Sequence, residues 1–127
     1  MSQERQPPIL DPLPVQSVDL SAGGEQQDFD RARVDSASFP AGRVTRSTLQ
    51  PGWKWSASVG RARGLELCTA PHLGYVITGP MTVRAANGSE YHYGAGDAYT
   101  VSSDPHDAWV EGNATYVAID VALPVRA

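Results

Sequence analysis

The sequence predicts an all-β protein, a sandwich or barrel of short antiparallel strands, on three observations. From Val15 onward, short apolar or alternating runs are broken at near-regular intervals by turn residues. No stretch sustains the 3.6-residue apolar period of a helix. Turn signals such as Asn87-Gly88, Gly94 to Asp97 and Gly112-Asn113 fall between runs that alternate with period two. Many short strands at such spacing make a two-sheet or closed architecture.

Taken in order, residues 1–14 hold Pro7, Pro8, Pro12 and Pro14 among polar neighbours, a composition that resists helix and sheet interiors. They form an arm, flexible or laid along a sheet edge, and residues 15–127 form one domain. The expected strands are 17–20, 31–38, 43–49, 53–59, 65–70, 73–77, 81–85, 89–93, 98–102, 107–110 and 115–121. Asn87-Gly88 pairs the two strands on either side of it, since a type I′ turn takes positive φ at both central residues.

At 127 residues and 41% apolar content the chain suffices for a single core. Its formal charge of -4, with nine arginines and Lys54 scattered along it, leaves no basic footprint for nucleic acid. One cysteine forms no internal disulfide, and no apolar run has membrane-spanning length. A soluble cytoplasmic protein is expected.

The chemistry is concentrated around one segment. If 65–70 is an unbroken strand, Glu66 and Cys68 share a face, and His72 follows with the same parity. Thiol, imidazole and carboxylate are the side chains that metals and proton transfers use. The spacing is Gly60, five residues, Glu66-x-Cys68, three residues, His72, six residues, Gly79.

In that spacing the chain resembles the cupin superfamily, whose first motif is Gly, five residues, His-x-His, three or four residues, Glu, six residues, Gly. The frame is kept and three ligand letters differ. The likeness extends over roughly residues 40–121, through Pro51-Gly52-Trp53-Lys54-Trp55-Ser56 before the motif and His106-Asp107-Ala108-Trp109 after it. It resembles a subgroup of stand-alone cupins with those segments and a Cys-x3-His pair. The resemblance implies a cupin-type jelly-roll β-barrel, a metal held by Cys68, His72, His106 and Glu66, and a homodimer. Measured from Gly96, the family's second-motif histidine position falls on Asp107, one past His106. Pro105 biases the backbone before it toward an extended form and can shift the register, which favours His106, with Asp107 the alternative.

Zinc suits thiolate, imidazole and carboxylate, with iron, nickel or manganese as further divalent candidates. Glu66 either closes the site or serves with His72 in acid and base catalysis. The two-histidine, one-carboxylate set of His72, His106 and Glu66 would instead suit non-haem iron, leaving Cys68 exposed to oxidation beside it. Trp53, Trp55, Tyr75, Tyr99 and Trp109 are candidates for a small-molecule pocket, for core, or for a subunit contact. His92 reads as a structural or surface residue, and Arg43, Arg46 and Arg84 as solvated strand faces.

The expected function is metal-assisted, non-redox chemistry on a small organic molecule, of isomerase, cyclase or lyase type. The alternatives are a sensory or regulatory cupin that holds a ligand unchanged, metal-free acid and base catalysis, and a non-haem iron dioxygenase. Nucleic acid and membranes are not expected partners.

Overall fold

The structure, a computed structural model, describes residues 14–123; the arm expected over 1–14 thus lies, but for Pro14, outside the described residues. Nine strands form two antiparallel sheets. In chain order they are β1 (Glu25–Phe29), β2 (Ala32–Phe39), β3 (Gly42–Leu49), β4 (His72–Thr78), β5 (Met81–Ala85), β6 (Glu90–Tyr93), β7 (Ala98–Val101), β8 (His106–Val110) and β9 (Tyr116–Ala122). The larger sheet runs β1-β2-β3-β9-β4-β7 and the smaller β6-β5-β8. The fold is thus the expected all-β jelly roll, built as two sheets with a core between them.

That core draws on both sheets. Leu49, Val76, Tyr116 and Ala118 come from the larger sheet and Met81, Val83 and Val110 from the smaller, all nearly solvent-free. Val76 is wholly buried, and full burial of a side chain of its size contributes about 1.5–3 kcal/mol. Among the described residues no helix is long and apolar enough to cross a membrane.

Four expectations need correction. Strand β1 was not foreseen: Glu25-Gln-Gln-Asp-Phe29 shows no apolar alternation, because an edge strand open to solvent is held by its backbone ladder to β2 instead of by side-chain burial. Residues 17–20 are irregular and lead into a turn. Residues 53–59 are not a strand; Lys54 makes a single bridge to Trp109, and the chain then coils into a short 3-10 turn (Trp55–Ala57) and a one-turn helix, α1 (Val59–Arg63). Asp107 causes this, because its carboxylate accepts from both the Ser56 amide at 3.0 Å and the Ser56 hydroxyl at 2.7 Å and pulls the backbone out of the ladder. Residues 65–70 are also irregular, keeping one bridge, Cys68 to His106.

The β5–β6 pairing forms as expected, by a different turn. Arg84 pairs with Glu90 and Met81 with Tyr93. Only Gly88 has positive φ, at 92°, while the Gly88 amide donates to the Ala85 carbonyl at 2.9 Å. This is a type I turn followed by a glycine bulge, which places the left-handed residue where no Cβ resists it.

Candidate metal centre

Cys68, His72 and His106 converge, with ligand atoms all within 4.8 Å of one another. Each arrives by a different backbone device. The Cys68 amide donates to the His106 carbonyl at 2.8 Å and the His106 amide returns a bond to the Cys68 carbonyl at 3.0 Å, so the isolated bridge clamps thiol and imidazole side by side. His72 opens β4, paired with Val101 of β7, and presents Nε2 at 3.7 Å from the Cys68 sulfur. The two imidazoles meet edge to face with centroids 5.5 Å apart.

The outer nitrogen of each ring is already committed. His106 donates Nδ1–H to the Asp104 carbonyl at 2.8 Å. His72 Nδ1 stands 3.3 Å from an Asp120 oxygen, which as a carboxylate accepts the proton. Both Nε2 atoms are therefore turned to the cluster, and once a bound ion displaces the second His72 proton both rings would present the tautomer that metal-bound histidines adopt when an outer partner fixes them. Zinc bonds near 2.0–2.3 Å at tetrahedral angles place donor atoms about 3.3–3.6 Å apart, close to the sulfur–nitrogen separation seen here. The donor set fits a borderline-soft divalent ion of zinc type.

Asp120 was not singled out in the sequence, although it is the carboxylate the site contains. It pairs with Gly74 on β4, and Gly74 pairs in turn with Tyr99 on β7, so three neighbouring strands line up Asp120, Gly74 and Tyr99. The Tyr99 hydroxyl crosses the glycine to donate to the second Asp120 oxygen. A Cβ at position 74 would lie 2.6 Å from that oxygen and 2.7 Å from the phenol, so the contact requires glycine there. The signal was available: Tyr116, Ala118 and Asp120 share parity on β9, which puts an acid on the buried side of an apolar strand.

Electrostatics follow from this packing. Burial alone would lower the basicity of His72, yet the bonds to Asp120 and Cys68 outweigh it and raise its pKa to about 9 in the metal-free protein. Burial pushes the Tyr93 phenol up to about 12, and burial first, then proximity to acids and phenols, lifts Tyr99 and Tyr116 well above the ordinary range. Tyr93 stacks flat on Tyr99 at 4.5 Å. A cavity of about 430 Å³ opens beside the cluster, walled by Val83, Tyr93, Val101 and His106 among others.

The remaining expected site residues separate. Glu66 is exposed and outside the converging group, since without a strand at 65–70 nothing holds it to the face of Cys68; the triad of His72, His106 and Glu66 is likewise not assembled. Of the two alternatives, His106 enters the cluster, while Asp107 faces Ser56 and Lys54. Trp53 is buried core, and Trp55 packs partly buried against it and over Gly60. Trp109 donates its indole N–H to Glu111 and lies under the Lys54 ammonium. Tyr75 points outward, half exposed. Of the five aromatics only Tyr99 is tied to the cluster, by its bond to Asp120.

No protein-family model and no curated protein sequence matches the chain. Solved structures do resemble it. Ectoine synthase from P. lautus superposes with a TM-score of 0.63 at 11% identity, covering 87% of this chain and 80% of that one. A sugar phosphate isomerase of the cupin superfamily from Silicibacter pomeroyi gives 0.60 at 17%, over 87% and 76%. The polyketide cyclase RemF from Streptomyces resistomycificus gives 0.60 at 15%, over 88% and 84%. At these identities the likeness is one of fold, a cupin-type jelly roll.

Proposed function

We propose that the protein is a zinc-type metalloenzyme that carries out non-redox chemistry, isomerisation, cyclisation or elimination, on a small organic molecule. The observation that carries this reading is the convergence of Cys68, His72 and His106 with both Nε2 atoms turned inward. Three protein ligands with an open fourth position is the pattern of catalytic zinc sites. When bound, the metal supplies a Lewis acid for a substrate carbonyl or hydroxyl oxygen. A thiolate beside the ion argues against oxygen activation, which would oxidise it, and suits a reducing cytoplasmic setting.

The chain's own residues supply the rest. Asp120 holds the His72 ring, and Tyr99 holds Asp120. Tyr93 forms part of the cavity wall, its phenol kept protonated at neutral pH by burial. Jelly rolls of this kind carry isomerase, cyclase and synthase sites, and the enzyme reading rests on the cluster itself, since fold alone does not separate an enzyme from a passive binder. Self-association as a homodimer is proposed through the outer face of β4 and β9, where Leu73, Tyr75, Ile77 and Val121 are exposed and carry no charge to repel a second copy.

Elemental analysis of the purified full-length protein tests the centre. About one equivalent of zinc is expected, with markedly less retained by Cys68→Ala. Less than about a tenth of an equivalent after zinc is supplied sinks the reading. A second reading, acid and base catalysis by His72 without metal, is favoured by the His72–Asp120 pair; turnover that survives a strong chelator and is abolished in His72→Ala would select it.

A further inference from the structure

We propose that the cavity beside the cluster takes an uncharged, ring-bearing molecule with a carbonyl or hydroxyl oxygen and turns anions away. The position of that oxygen rests on the metal reading above; the charge preference does not.

The cavity belongs to the cluster by two contacts: His106 is shared between them, and Val101 on the wall is the register partner of His72. Its volume of about 430 Å³ lies within the usual 300–1,000 Å³ of small-molecule sites. Val83, Val101 and the rings of Tyr91 and Tyr93 give flat apolar wall, suited to stacking a ring. The hydroxyls at the mouth are partly spent, since Ser102 donates to Asp104 and Thr100 donates to the His72 carbonyl.

Charge decides the class. Among the described residues no lysine or arginine lines the cavity, and its one charged wall residue is Asp104. Every described lysine and arginine is placed elsewhere, and the metal-free His72 imidazolium is paired with Asp120. Arg33 and Arg46 bond Asp35, Arg43 bonds Glu25 and Ser36, and Arg31 bonds Asp30. Lys54 reaches Asp107, Arg84 stands between Glu90 and Asp107 in the small sheet's register, and Arg61 and Arg63 lie on α1. The ion itself does not reverse this. A divalent metal with one thiolate and two neutral imidazoles carries one net positive charge, which Asp120 cancels and Asp104 overturns. A phosphate or carboxylate would enter with no cation to replace its lost hydration.

Benzamide and benzoate, equal in shape and different in charge, separate the possibilities. Each is titrated into the full-length protein, zinc-loaded and metal-free, while amide resonances of Val101, Ser102 and His106 are followed by NMR. Benzamide is expected to bind about tenfold more tightly than benzoate in both forms, and Asp104→Lys to shift that ratio about fivefold toward benzoate. Benzoate binding as tightly as benzamide in the metal-free form, or neither probe moving those resonances, overturns the proposal. Zinc content measured on the same samples keeps the two readings apart. Zinc bound with no preference against the anion removes the substrate class alone, and the preference without zinc removes the metal centre alone.

Discussion

Two rows of side chains, one residue apart along every strand, cross the whole six-stranded sheet. The inward row is Glu25, Ser36, Thr45, Asp120, Gly74 and Tyr99; the outward row is Gln26, Asp35, Arg46, Ile119, Tyr75 and Ala98. At the β9–β4–β7 end the usual arrangement is reversed. The inward row holds a carboxylate, a bare glycine and a phenol, while the outward row presents Ile119, half-exposed Tyr75 and Ala98. Apolar residues outside and polar ones inside mean that this end of the sheet is not built for packing alone. Its inner face is chemistry supported by a core one layer further along, at Val76, Tyr116 and Ala118, and its outer face is a surface in need of cover.

The sharpest way to break the inward row is to remove the charge of Asp120 and keep its shape. Asp120→Asn leaves the His72 Nδ1–H with a weaker acceptor and the Tyr99 hydroxyl with an amide. Zinc affinity is expected to fall about 10–100-fold, measured by competition against a chelating dye, with Tyr99→Phe producing a smaller loss in the same direction. Unchanged affinity in Asp120→Asn would mean that the His72 orientation is set by β4 alone.

The outward row is tested at Tyr75. If β4 and β9 of two copies cover one another, Tyr75→Asp buries an unpaired charge at that contact and the dimer dissociates, its mass by light scattering falling to that of one chain. Because Tyr75 is half exposed in the single chain, the fold itself should lose no more than about 0.5 kcal/mol. A wild-type chain already monomeric at high concentration would leave the apolar face without a second copy as its partner.

Much of this was legible in the sequence, and the misses share a cause. Strands whose side chains alternate between core and solvent, such as β5 and β9, announce themselves through period two. Strand β1 does not, since it buries almost nothing, and residues 53–59 mimic a strand while their backbone is captured by Asp107, fifty-one positions away in sequence. The cluster followed the same division. Cys68 and His72 were legible because motif spacing encodes them, and His106 because Pro105 shifts the register by one from the position that spacing marks. Glu66 was misplaced because parity along a strand has meaning only where the strand exists. Asp120 was passed over because a lone acid in an apolar run gives no spacing to match; only its parity with Tyr116 and Ala118 marks it.

The smallest expected effect lies at the other end of the outward row, where the sheet face is closed instead of open. Asp35 is almost completely buried there, and burial by itself would raise its pKa; bonds from Arg33 and Arg46 at 3.1 and 3.2 Å prevail and hold it below the ordinary 3.8. A carboxyl with a lowered folded pKa adds stability that is complete above its unfolded value and fades as the pH falls through the folded one. The wild-type urea midpoint should therefore drop more steeply than that of Asp35→Asn as the pH falls below about 4, while the variant is the less stable of the two at neutral pH because its amide leaves the Arg33 and Arg46 guanidinium contacts without a matching charge. Parallel curves over that range would place the acid sensitivity of the fold in other carboxylates. The outward face would then differ between its two ends in exposure alone, with no contribution from charge.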